Sequence, residues 1–193
     1  MKKTRKPMSA IFTVISIGAV VLVMIFVNQS KQADKLKETS LEKLSEVEEM
    51  LEMDFDKDYP ETPRALAQLH GDMTRLLYSG VEDDEIKGLA VKVRDLYDDE
   101  FLDSSSEEQY LTNLYTDIAL WNQADRRISY NLVVNEEDEE AYELDGKEYA
   151  TAFISFTIIE KGQTSELRRY IMRKDIDDKW KILGWEYIPV KKD

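Results

Sequence analysis

DDKWKILGWEYI, residues 177–188, puts Trp180, Trp185 and Tyr187 into one strand-like run of a strongly acidic chain. Two aspartates and a lysine make a turn, and bulky apolar residues then recur at strand spacing. The run reads as the closing strand of a curved antiparallel sheet. Under strict alternation Trp180 and Ile182 share one face, and Leu183, Trp185 and Tyr187 take the other. Gly184 relieves crowding where the strand bends. Side chains of this bulk fill the space beneath helices.

Working back from that strand, SELRRYIMRKD (165–175) and EYATAFISFTIIEKG (148–162) read as two more strands. The second is apolar on both faces, as a covered central strand is. RISYNLVV (127–134) alternates, with Ile128, Tyr130, Leu132 and Val134 assigned to one face. LDGK, EKGQ and DIDDK have the length and composition of hairpin turns. NEEDEE (135–140) reads as a solvated loop, because like charges repel.

Helices precede these four strands. Thr62 caps a helix whose first position is Pro63, where a missing N–H costs nothing. Leu66, Leu69, Met73, Leu76 and Leu77 form its apolar face, and Ser79-Gly80 ends it. A further helix spans 83–98, with Ile86, Leu89, Ala90, Val93, Leu96 and Tyr97 on one side. Ser105 and Glu108 open another at capping-box spacing, with Leu111, Leu114, Tyr115, Ile118 and Trp121 on its face. Helices first and antiparallel strands last make an α+β domain of about three helices on a bent sheet of about four strands.

The N-terminal part reads differently. Residues 8–27 hold no charge over 20 positions, which matches the roughly 30 Å hydrocarbon core of a bilayer. A cleaved signal peptide is the alternative, but its apolar region is about 7–15 residues and Lys31 spoils the best small-x-small site. The basic, acid-free residues 1–7 point to an N-terminus inside the cell, with the following domain outside the cytoplasm. Residues 31–53 read as a helix with Leu44, Val47 and Leu51 in a modest stripe, too short for a coiled coil. The expected organisation is a cytoplasmic head (1–7), a single-pass signal anchor (8–27), a stalk (28–54) and an extracytoplasmic domain (55–193). The cell membrane is the expected location.

Lys and Arg number 26 against 40 Asp and Glu, for a net charge of −14. Such a surface repels phosphate backbones and argues against nucleic acid. No cysteine is present, which removes disulfides, thiolate metal sites and thiol nucleophiles.

Three helices followed by a sheet that closes on DDKWKILGW resemble the nuclear transport factor 2-like (cystatin-like) cone over residues 60–188. That superfamily often closes on an Asp-Gly/Asp-x-Trp-Lys-Ile strand, matched here by Asp177, Asp178, Trp180, Lys181 and Ile182. YPETPRALAQLHGDMTRLLY, DGKEYATAF and KWKILGWEY together resemble an uncharacterised family of single-span bacterial membrane proteins with this ectodomain. That likeness implies no activity. Among cousins with a known role, the bitopic scaffold subunit of type IV secretion machines has the same order of parts, which is analogy at the level of the fold.

Chemistry is sparsely signalled. His70 is the sole histidine and reads as a surface or helix-flank residue. Arg168, Arg169, Arg173 and Glu186 on the strands read as a solvated face. Asp54, Asp56 and Asp58 alternate as in a calcium loop, but Tyr59 and Ala65 stand where an EF-hand needs Gly and Glu. No metal or cofactor is implied. Trp121, Tyr170 and Trp185 are the expected lining of an aromatic pocket without histidine, the alternative being that they fill the core. The expected function is a non-catalytic binding or scaffold module offering its cone to a protein partner. The alternatives are a sensor of an apolar small ligand and an isomerase- or hydratase-like enzyme. The enzyme would need an acid buried beside an arginine in the cavity.

Overall fold

The computed structural model describes residues 46–80, 83–135 and 141–189. The expected head, anchor and most of the stalk, and the acidic run 136–140, lie outside the described residues. Among the described residues no helix is long and apolar enough to cross a membrane.

A helical segment α1 (46–52) precedes α2 (Pro63–Leu77), α3 (Asp83–Arg94), the single turn α4 (Asp99–Leu102) and α5 (Glu107–Gln123). Five strands follow: β1 (Arg127–Val134), β2 (Ala141–Leu144), β3 (Lys147–Ile159), β4 (Gln163–Lys174) and β5 (Trp180–Ile188). All pair antiparallel in the order β1-β3-β4-β5, with β2 also on β3. The architecture is α+β, as expected, with one strand more than the sequence reading gave. The added strand makes a two-residue hairpin with β3 through Asp145 and Gly146, both at positive φ (51° and 74°), as a type I′ turn requires.

Local chemistry sets the element ends. The Thr62 side chain accepts from the Ala65 N–H, with Pro63 at the first helical position. Ser106, not Ser105, caps α5 by accepting from the Gln109 N–H. The Ser105 N–H donates to the Leu102 carbonyl, in the turn that follows α4. At the β4–β5 turn, Asp175 Oδ1 accepts from the N–H groups of Asp177 and Lys179 at 2.9 Å each.

The core lies on the sheet face that carries Ala150, Ala152, Ile154, Phe156 and Ile158, all at most 3 % exposed. Leu66, Met73 and Leu76 of α2 and Leu89 and Val93 of α3 are buried in the same cluster. Two expectations fail for one reason. Ser129 is an extra residue between Ile128 and Tyr130 in the β1–β3 register. Beyond it Asn131 and Val133 take the core side, and Tyr130 (56 % exposed) and Leu132 (48 %) face out. Leu183 is likewise extra between Ile182 and Gly184 on β5. Trp185 therefore pairs with Tyr170 and shares the core face with Ile182, instead of lying opposite it. A bulge adds one residue to one strand and inverts the alternation beyond it.

The chain also leaves α3 before residue 98. The Leu96 carbonyl accepts from the Ile182 N–H and the Asp98 N–H donates to the Ile182 carbonyl, both at 2.9 Å. This short parallel bridge runs beside β5 and brings Tyr97 over the core face. Asp98 then caps α4 and receives Nε and Nη2 of Arg173.

Candidate functional site

A cleft of about 570 Å³ is lined by residues of α2, α3, α5, β4 and β5. Six aromatic residues, Tyr78, Tyr97, Tyr110, Trp121, Trp185 and Tyr187, line it. Its rim reaches solvent through Asn113 and Tyr187, both exposed.

His70 forms part of the wall and is 1 % exposed. The surface assignment is overturned. In α2, His70 stands four residues after Leu66 and three before Met73, so it falls on the buried face. Its Nδ1 lies 2.9 Å from the Tyr170 hydroxyl and its Nε2 3.1 Å from the Tyr97 hydroxyl. The Thr74 hydroxyl donates to the His70 carbonyl. Burial, with the Arg168 charge in second place, pushes the imidazole pKa down to about 3. His70 is therefore neutral at physiological pH, with one hydroxyl donating to the ring and the other accepting from it. Burial also pushes the Tyr78, Tyr97, Tyr110 and Tyr170 hydroxyls up, so they remain protonated.

Four charged groups face the cleft. Arg168 holds Glu166 Oε1 through Nε (2.7 Å) and Nη2 (2.6 Å), with its guanidinium packed between the Phe156 and Tyr187 rings. Asp117 accepts from the Tyr78 hydroxyl at 2.6 Å. Arg126 lies with Cζ 4.0 Å from the centroid of Trp121, and its buried Nε has no hydrogen-bond partner.

Of the expected pocket residues, Trp121 and Trp185 line the cleft. Tyr170 is fully buried beneath it, packed 5.7 Å from Trp185 ring to ring, with its hydroxyl 2.9 Å from His70 Nδ1. The expected absence of histidine fails. The strand arginines separate: Arg168 faces the cleft, Arg169 pairs with Glu186 away from it, and Arg173 holds Asp98 and Glu100. The Asp54 carboxylate is occupied by Lys57 and by the Asp56 N–H. Among the described residues no group of three His, Cys, Asp or Glu side chains is placed to hold a metal. Sequence reasoning missed Tyr78, Tyr110, Asp117, Arg126 and Glu166. Tyr110 and Asp117 lie three turns and one turn before the expected Trp121 on α5, the signal that could have found them.

Fold and site together define an α+β domain whose helices and antiparallel sheet enclose an aromatic cleft with a neutral, fully bonded histidine in its wall. The chain belongs to the family described as a domain of unknown function, DUF6715, which matches over residues 1–185. No curated protein matches it.

Proposed function

We propose that this protein is a membrane-anchored, non-catalytic binding module that holds a small organic ligand in the cleft between its helices and sheet. The carrying observation is the cleft itself, about 570 Å³ and lined by six aromatic residues. Ligand sites typically span roughly 300–1,000 Å³ with apolar walls and a few fixed polar groups. This favours the ligand over a protein partner docking on the cone. Anchoring rests on the uncharged run 8–27, with the domain outside the cytoplasm. Helices over one face of an antiparallel sheet support the nuclear transport factor 2-like cone.

A catalytic reading has one specific observation in its favour, since Glu166 beside Arg168 is the acid–arginine pair such chemistry would need. Binding fits the geometry better. Both nitrogens of His70 are engaged by hydroxyls, Asp117 receives a phenol, and Nε and Nη2 of Arg168 hold Glu166. Each of these cleft groups is thus already engaged by a partner from the protein itself.

The full-length protein in detergent, screened against small organic molecules, tests both readings. A ligand at one hundred times its Kd should stabilise the fold by about 2.7 kcal/mol. It should also perturb tryptophan emission, because Trp121 and Trp185 line the site. The ligand should be recovered unchanged by mass spectrometry. A converted ligand would establish the enzyme, and a library that moves neither melting nor emission overturns the ligand reading.

A further inference from the structure

We infer that the ligand is a small aromatic carboxylate, with its carboxylate on Arg126 and its ring among Trp121, Trp185 and Tyr97; this rests on the ligand reading above. The reasoning starts from which charges in the cleft are already satisfied. Glu166 and Arg168 neutralise one another, and Asp117 is bound by Tyr78. Arg126 is left, with no acidic partner among the described residues and a buried Nε that donates to nothing. The Nε is closed to solvent, so two-point capture of a carboxylate falls to the two terminal nitrogens of this cleft-lining guanidinium.

Arg126 is held in place by the chain. Asp125 adopts a positive φ of 51° just after α5, and the Arg126 N–H donates to the Trp121 carbonyl at 2.9 Å. The same turn lays the guanidinium on the Trp121 ring. Cation and aromatic platform are thus one preformed unit, and preorganisation of this kind favours affinity.

A ring of aromatic residues could equally suggest a cation cage. The cleft argues against it. Arg126 covers Trp121, Arg168 lies 5.3 Å from the Tyr187 centroid and Arg94 lies 5.1 Å from that of Tyr110. Three of the six rings already carry the protein's own guanidiniums, and an incoming cation would meet them instead of bare π faces. The acidic surface of the domain opposes an anion at long range. Screening confines that opposition to about 8 Å at physiological ionic strength, and inside the cleft the two arginines balance the two acids.

Titration of the full-length protein in zwitterionic detergent with indole-3-acetate, indole-3-acetamide and tryptamine tests the charge preference. These share a ring and differ in charge. The acid should bind at least tenfold more tightly than the amide, and the amine most weakly. Arg126→Gln should weaken binding of the acid at least tenfold more than it weakens binding of the amide, which removes the preference. The melting temperature of this variant without ligand establishes that it is folded. If tryptamine binds best, or Arg126→Gln keeps the preference, the carboxylate inference falls while the ligand reading stands. If no carboxylate binds at millimolar concentration the inference also falls, and the broad screen decides separately whether the cleft binds anything.

Discussion

His70 is the residue in which sequence and structure part most sharply. A lone histidine among the leucines of an amphipathic helix suggests a polar interruption at the flank. Its spacing from Leu66 and Met73 places it on the buried face, where two tyrosine hydroxyls replace the water it loses. Tyr97 and Tyr170 lie 27 and 100 residues away, so no local pattern reveals them. The burial has a pH consequence. The folded pKa is about 3 against an ordinary 6.5, so the unfolded chain takes up a proton below pH 6.5 that the folded chain refuses. This contribution is therefore complete above pH 6.5 and is lost as pH falls toward 3. Between pH 7.5 and 5.5 the wild type should lose about 1.4 kcal/mol more stability than His70→Gln, since one pKa unit is worth about 1.36 kcal/mol. Denaturant unfolding at the two pH values measures the difference. Parallel losses in the two proteins would mean that His70 is not held neutral.

At the scale of elements, caps and turns were legible because their signals are local. Thr62-Pro63, Asp145-Gly146 and the aspartates of residues 175–178 each act over a few residues, and each occupies the end or turn expected of it. Strand faces were only half legible. Alternation holds until a bulge, and neither Ser129 nor Leu183 announces that its partner strand will skip it. The Leu183 bulge matters for the site, because without it Trp185 would point away from the cleft. The helix–sheet approach shows a similar long-range constraint at Gly71. A Cβ there would lie 2.2 Å from Cδ1 of the fully buried Ile154 and 2.9 Å from Nδ2 of Asn131. Gly71→Ala should thus overpack the α2–β3 contact at about 1–3 kcal/mol. The roughly 1 kcal/mol gain in helix propensity offsets part of that. Gly88→Ala in α3 meets only a Leu51 methyl at 3.1 Å and should be close to neutral. Thermal melts of the two variants compare them directly; equal midpoints would show that Ile154 can give way.

For the molecule as a whole, the order of parts was the most legible feature. Apolar periodicity changes from helical to strand-like after residue 126, and that alone calls for helices packed on an antiparallel sheet. The pocket was less legible, since its charges come from α5, the turn after it and β4, and only the fold brings them together. The start of the packed domain also lies earlier than composition suggests. Val47 is 1 % exposed within the core. Glu46 pairs with Arg75 of α2, and Lys92 of α3 donates to the carbonyls of Leu51 and Met53. In residues 31–53 the spacing of Val47 and Leu51 is visible, but the surface they cover belongs to α2 and α3, so the stripe alone does not separate a stalk from a packed helix. A fragment of residues 43–193 should therefore unfold cooperatively and at higher temperature than one of residues 55–193. Exposing Val47 alone costs about 1.5–3 kcal/mol. For a domain of this size each kcal/mol corresponds to about 2–4 °C, so removal of α1 should lower the midpoint by at least ~3 °C. Circular dichroism melts of the two fragments give the comparison. Equal midpoints would assign the residues before 55 to a stalk that the domain does not need.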